Sequence, residues 1–541
     1  MRYTVTLAFS AAVLFAASSV SLTRAGSPAA PQQSPADIRF DRLVNADREP
    51  TNWLTYSGTL SGWRHSGLTE ITPANVKNLA PAWTWASFAG PGRVLPEATA
   101  LAVDGVLYTV RPPNALVALD GATGRERWTF LHTPADYRPF PAYRTNRGLA
   151  ILGRTLFMGT IDARLIAINA DTGTLVWNAA VANPADPSCG AEQQCYAITH
   201  APLVVKDKVL VGTSGGDGGV RGFIAAFDAA SGKEAWRFHT IPGPGEPGHE
   251  TWAGDSWRTG GAAVWNTGSY DPELNLTYWG TGNPVRGNQP GTDLLYSNSV
   301  VALDADTGRL RWHYQFTPRD TMDWDATQVP VLADLDWRGR PRKVMLFANR
   351  NGVFYVLDRA TGEFLSGTPF VQVNWLARFD DNGRPIRAQL APDVPVRPGP
   401  GEGGATSWYP PSYSPRTGLF YVPAWETSVD PRYGALLAID PRTGEKTWEF
   451  RRERSPGAKG LTTFSSGALT TASGLVFSGV RVGGPLAEST FYALDAVTGD
   501  LLWQASLPGA SHSGVMTYAV SGRQFVTITA GTTLLAFALR Q

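Results

Sequence analysis

The chain has 541 residues, with 47 Lys+Arg against 46 Asp+Glu, 19 Trp, 57 Gly, 40 Pro and 2 Cys. A net charge of +1 over this length gives no electrostatic footprint for nucleic acid or an anionic membrane surface. Hydrophobic content of 43% excludes intrinsic disorder, and two cysteines exclude a CxxCH haem site, a cysteine-rich zinc cluster and a disulfide scaffold.

From the N-terminus, Arg2, an apolar run from Val5 to about Val20, and Thr23-Arg24-Ala25 read as an export signal over residues 1–25. A periplasmic or secreted location is expected, so an oxidising compartment is available to Cys189 and Cys195. Their spacing closes a short loop, and a local structural disulfide is the expectation. Residues 26–47 read as a linker that opens on the Pro/Ala/Gln-rich GSPAAPQQSPAD. Residues 48–541 read as one folded domain, and no later stretch reaches transmembrane length.

An eleven-residue pattern then recurs: ALDGATGRERW ending at Trp128, AINADTGTLVW at Trp177, AFDAASGKEAW at Trp236 and ALDADTGRLRW at Trp312. VLDRATGEFLS follows, with Ser366 in the Trp position, then AIDPRTGEKTW at Trp448 and ALDAVTGDLLW at Trp503. Each is an apolar strand, an Asp-x-x-Thr-Gly turn and a second strand. The Asp and Thr side chains cap the turn, and Gly takes the positive φ. Trp128 and Trp503 lie six intervals apart, about 62 residues each, so the chain beyond Ala25 holds about eight units. The pattern predicts an all-β, eight-bladed β-propeller with tryptophans between blades. Its ring would be closed by Trp83-Thr84-Trp85 and the C-terminal TTLLAFAL. The two longest intervals, Trp236 to Trp312 and Ser366 to Trp448, are expected to build the mouth of the central funnel.

The Trp motif, the opening NWLTYSGTLSGWRHSGLTEITPANVKNLAPAWTW and the run YDPELNLTYWGTGNP resemble the quinoprotein alcohol dehydrogenases from about Asn52 to Phe537. That resemblance implies an axial site for pyrroloquinoline quinone (PQQ) and a metal ion, and oxidation of an alcohol, polyol or sugar. Asp217 in TSGGDGG, Asn283 in GTGNP and Asp323 in TPRDTMDWDATQ match the metal ligands, oxygen donors of the kind that Ca²⁺ takes. Asp217 stands where the resembling enzymes usually have Glu. Asp323 also matches the catalytic base that takes the alcohol proton while hydride passes to PQQ. Asp325 lies two residues on, and a second Asp at that offset resembles the lanthanide-dependent methanol dehydrogenases, where it is an extra ligand.

For PQQ, a planar tricarboxylate, the resemblance assigns Arg350 to the reactive quinone oxygens and Arg147 to a carboxylate. Thr160, Ser214, Gly215 and Gly216 match positions around the ring, Trp265 matches the stacking floor, and Glu97 matches a cofactor-proximal Glu. The chain departs from the family at Pro141 and Ala142, where many members have adjacent cysteines, and at Ser407 and Ala263, where Asn and Thr are common. Electrons would pass to a separate soluble cytochrome c or a similar acceptor. The second reading is a non-catalytic propeller that binds a protein or glycan partner. No HExxH, no GxGxxG between strand and helix and no phosphate loop points to other chemistry.

Overall fold

The Asp-x-x-Thr-Gly segments form the turns that their side chains dictate. In the first, Asp120 Oδ1 accepts the Thr123 amide (3.1 Å) and hydroxyl (2.9 Å), and Gly124 takes φ +70. The same geometry recurs at Asp304–Thr307 and Asp358–Thr361. Each turn joins the two outer strands of a sheet, and a β-bulge in the strand just after the turn offsets their register.

The computed structural model describes residues 37–86, 96–134, 145–183, 186, 196–285, 290–429, 432–453, 465–481 and 489–540, which lie in one compact unit, Pro35–Gln541. The export signal read over 1–25, Pro141, Ala142, Cys189 and Cys195 fall outside the described residues.

Eight antiparallel sheets follow one another as the blades of a propeller. Blades 1 to 7 span residues 101–131, 150–180, 203–239, 269–315, 331–369, 412–453 and 469–507. Blade 8 combines 516–520, 523–530 and 533–539 with the N-terminal strand Leu79–Ala86, which pairs with Thr533–Leu539. Joining the two ends of the chain in one sheet closes the ring and leaves no open seam.

The seams explain the tryptophans. The indole of one blade lies against the turn glycine of the next, and its Nε1–H donates to the carbonyl just past the turn Asp or Asn. The pairs are Trp83 with Gly121 (3.1 Å), Trp128 with Ala170 (3.2 Å), Trp177 with Ala229 (3.0 Å), Trp236 with Ala305 (3.2 Å), Trp312 with Arg359 (3.2 Å) and Trp448 with Ala496 (3.1 Å). The seam between blades 5 and 6 differs. Ser366 supplies no ring, its buried hydroxyl has no partner among the described residues, and the side chain of Thr368 lies against Gly444 instead.

Residues 38–47, read above as the end of a linker, pack onto the propeller. Ile38 exchanges two backbone hydrogen bonds with Gly153, and the short helix α1 (Phe40–Val44) buries Leu43. The next segment enters the ring. Trp53 pairs with Ala102, and His65–Ser66 pairs in parallel with Thr470–Thr471 of blade 7. Fully buried Arg64 donates to the Val515 carbonyl (2.8 Å), the Tyr56 carbonyl (3.0 Å) and the Thr99 hydroxyl (2.9 Å). Among the described residues no helix is long and apolar enough to cross a membrane.

Candidate active site

The candidate residues sit on the loops that enter or leave the blades, which is why positions far apart in sequence can meet. Glu97 and Arg147 precede the first strands of blades 1 and 2. Asp217 lies in the turn Gly216–Gly218, which is bounded by Gly215 at φ +106 and Gly219 at φ +82. These left-handed positions favour glycine and fold the loop tightly enough for Gly216 to sit beside Ala263. Asn283 follows Leu276–Gly280, Asp323 and Asp325 lie between blades 4 and 5, and Arg350 follows Arg340–Ala348.

One contact network joins most of them. Arg147 Nη2 lies 2.8 Å from Glu97 Oε2, and Nη1 donates to the Thr199 hydroxyl (3.0 Å) and the Trp265 carbonyl (3.2 Å). Thr199 in turn shares a 2.6 Å hydrogen bond with Ser214. The Arg147 guanidinium carbon lies 4.9 Å from the Trp265 ring and 4.6 Å from the Trp408 ring, within cation–π range of both. Trp265 Nε1 reaches Asp325 Oδ1 at 3.4 Å, and the Asn283 amide donates to the same oxygen at 3.1 Å. Asn283 Nδ2 donates to Asp217 Oδ1 at 3.3 Å. Arg350 Nη1 donates to Asp325 Oδ2 (3.2 Å) and to the Asp323 carbonyl (3.1 Å), while Nη2 donates to Ser407 Oγ (2.7 Å).

Two candidates stand differently. Thr160 is committed elsewhere: its hydroxyl donates to Asp162 in its own turn (2.5 Å), and its carbonyl accepts the amide of Ile198 from the segment leading into blade 3. Asp323 joins the network through its backbone, at φ +60, and its carboxylate lies beside Gly401. The carboxylate in contact with both Asn283 and Arg350 is that of Asp325. Sequence reasoning missed Thr199, for which no motif gave a signal.

Burial sets the electrostatics. Glu97 is pushed above the usual carboxylate range by desolvation, with Arg147 pulling it back. Asp325 is also raised, first by burial and further by the nearby charge of Asp217, against the pull of Arg350. Two carboxylates and an amide meeting in a buried place suit a hard cation, which would relieve the Asp217–Asp325 repulsion. Among the described residues no three His, Cys, Asp or Glu side chains stand together, so Asn283 is needed to complete such a set. The donor side also fits an anionic planar group: the Nε atoms of Arg147 and Arg350 are buried without a hydrogen-bond partner among the described residues, and Arg147 lies against the flat rings of Trp265 and Trp408.

Comparison with known proteins agrees with this chemistry. The family described as PQQ: Glucose/ethanol/alcohol dehydrogenase, beta-propeller domain, matches residues 53–374 and 401–526. Quinohemoprotein alcohol dehydrogenase ADH-IIG of Pseudomonas putida is 37% identical over 95% of this chain and 77% of its own length. The lanthanide-dependent methanol dehydrogenase of Methylacidiphilum fumariolicum (strain SolV) is 32% identical over 91% of this chain and 86% of its own. The crystal structure of quinohemoprotein alcohol dehydrogenase from Comamonas testosteroni matches with a TM-score of 0.82 and 33% identity, covering 92% of this chain and 82% of that one.

Proposed function

Because this chain belongs to the PQQ-dependent glucose/ethanol/alcohol dehydrogenase propeller family and is an alcohol dehydrogenase-like oxidoreductase, we propose that it oxidises an alcohol, polyol or sugar by base-assisted hydride transfer. The network from Glu97 through Arg147, Trp265, Asp325 and Asn283 to Asp217 and Arg350 supports this reading. A non-catalytic propeller has no use for two buried arginines and three carboxylates gathered on one set of loops.

Bound PQQ would supply the electrophilic quinone carbonyl that accepts the hydride. Arg147 and Arg350 would hold its negative groups, and Trp265 and Trp408 would give flat contact surfaces. Asp217 and Asn283, joined by Asp323 as the family resemblance assigns it, would hold Ca²⁺, which would polarise that carbonyl as a Lewis acid. Asp323 would take the hydroxyl proton as the C–H bond gives up its hydride, so an alcohol becomes an aldehyde or ketone and the proton ends on the carboxylate. Ser407 on Arg350 would keep that guanidinium aimed in the absence of the family's Asn.

A lanthanide is the second reading, favoured by one observation: the Asp325 carboxylate abuts Asn283 and can add a third negative ligand. The electrons would leave to a separate cytochrome c or similar acceptor. Export to the periplasm or medium belongs to the same proposal and is supported by the N-terminal sequence pattern.

The test is reconstitution with PQQ plus Ca²⁺ and, separately, PQQ plus a lanthanide, read by quinone absorbance and dye-linked oxidation of an alcohol panel. Asp323→Asn should keep the cofactor spectrum and lose about 10²–10⁴-fold in kcat, the usual share of a general base. Unchanged turnover would remove Asp323 as the base.

A further inference from the structure

Asp323 occupies the left-handed region, uncommon for a residue with a side chain, and something must hold it there. The holder is Asp320, which is 4% exposed and touches neither the Arg147 nor the Arg350 side of the site in any contact described above. Its two carboxylate oxygens accept the amides on either side of Asp323: Oδ1 takes Met322 N–H at 2.8 Å, and Oδ2 takes Trp324 N–H at 2.7 Å. Asn298 completes the clamp. Its Nδ2 donates to Asp320 Oδ2 (3.2 Å) and to the Trp324 carbonyl (2.9 Å), while its own amide donates to the Gly282 carbonyl (2.9 Å), next to Asn283. Asp320 and Asn298 thus tie the segment carrying Asp323 and Asp325 to the strand end carrying Asn283. Arg387, from the inserted hairpin Leu376–Phe379/Pro385–Arg387, is the charged group that faces Asp320.

We propose that Asp320, seconded by Asn298, is the positioning residue of the reaction: it fixes the backbone of Asp323 and so sets the direction of the catalytic carboxylate. The proposal rests on the reading of Asp323 as the base. Removing the clamp leaves the side-chain contacts of Arg147 intact and lets the Asp323 backbone, whose carbonyl also accepts from Arg350, relax; with PQQ and metal at saturation the larger loss falls on turnover rather than on binding. A misplacement of the base by about 1 Å costs on the order of 100-fold.

Three variants are measured against the unmodified protein with PQQ and metal at saturation: Asp320→Asn, Asn298→Gly and Asp323→Asn. Asp320→Asn keeps the size but leaves one acceptor for two amides. Asn298→Gly removes the side-chain amide and tolerates the φ of +47 found there. For Asp320→Asn the expected result is a kcat lower by roughly 10- to 100-fold, with KM and the PQQ Kd changed by less than about threefold. Hydrogen exchange of the 320–326 peptide, measured before PQQ is added, should accelerate while the blade strands keep their protection. Asn298→Gly should show the same split at smaller amplitude. A kcat within about twofold of normal in both clamp variants, alongside an inactive Asp323→Asn, overturns the proposal. So does a parallel rise in KM and Kd with faster exchange in every blade, which marks general structural support. An active Asp323→Asn overturns the base reading and the proposal together.

Discussion

At the residue scale, the Glu97–Arg147 pair shows how a binding group is kept in a buried place. Arg147 is held by a carboxylate, a hydroxyl, a carbonyl and two aromatic faces, so little of its conformational freedom remains to be lost when an anion arrives. Arg147→Met leaves Glu97 buried without its cation, a change that costs about 3–5 kcal/mol when the stranded group stays charged and less when it takes up a proton. The raised Glu97 favours the second course. Arg147→Met should therefore lower Tm by a few degrees and weaken PQQ binding at least about tenfold, the worth of one charged hydrogen bond. Adding Glu97→Gln should restore Tm and leave the binding weak. A double variant that recovers affinity as well would show that Arg147 serves the fold and not the cofactor. The measurements are thermal unfolding of the protein before PQQ is added and absorbance titration with PQQ.

At the scale of the element, the repeating unit is the seam between blades. An indole on a turn glycine, with its Nε1–H on a carbonyl, supplies both apolar burial and a satisfied donor, and the glycine is required because a Cβ at Gly362 would collide with the Trp312 ring at φ +81. Trp312→Ala should cost about 3–5 kcal/mol, the range for deleting a large buried aromatic. Ser366→Ala, in the seam without an indole, should be neutral or slightly stabilising, because it removes a buried hydroxyl that bonds to nothing among the described residues. Denaturant midpoints of the two variants check the contrast; a large loss at Ser366 would mean that its hydroxyl is bonded in solution.

At the scale of the whole molecule, closure of the ring buries groups that no single blade would bury, and some of them titrate. His65, His200 and His239 are each pushed down to about 4, chiefly by desolvation. His200 also has both ring nitrogens committed: Nδ1 donates to the Ala201 carbonyl (2.8 Å), and Nε2 accepts the Gly212 amide (2.9 Å), so a second proton has no acceptor to meet. The unfolded chain protonates these groups near 6.5 and the folded one near 4. Their contribution to stability is therefore complete above about pH 6.5 and is lost as pH falls toward 4. Glu97, Asp320 and Asp325, whose folded values are raised, act in the opposite sense and gain stability in acid. His313 is lowered by burial as well, so four histidines stand against three carboxylates, and Tm should fall by several degrees between pH 6.5 and 4, as calorimetry would read it. A rising Tm would show the buried carboxylates in control.

The eight-blade count, the closing strand at Trp83–Trp85 and the odd seam at Ser366 were legible in the sequence because they depend on local chemistry: an Asp, a Thr and a Gly within five positions define a turn wherever they occur. The family motifs likewise brought Arg147, Asp217, Asn283, Asp325 and Arg350 to notice. Which atoms meet was decided by the tertiary structure. Only ring closure sets Trp408 over Arg147, Arg147 on the Trp265 carbonyl and Arg350 on Ser407. Contacts between loops of different blades depend on the radius and stagger of the whole ring, and no local pattern encodes those two quantities.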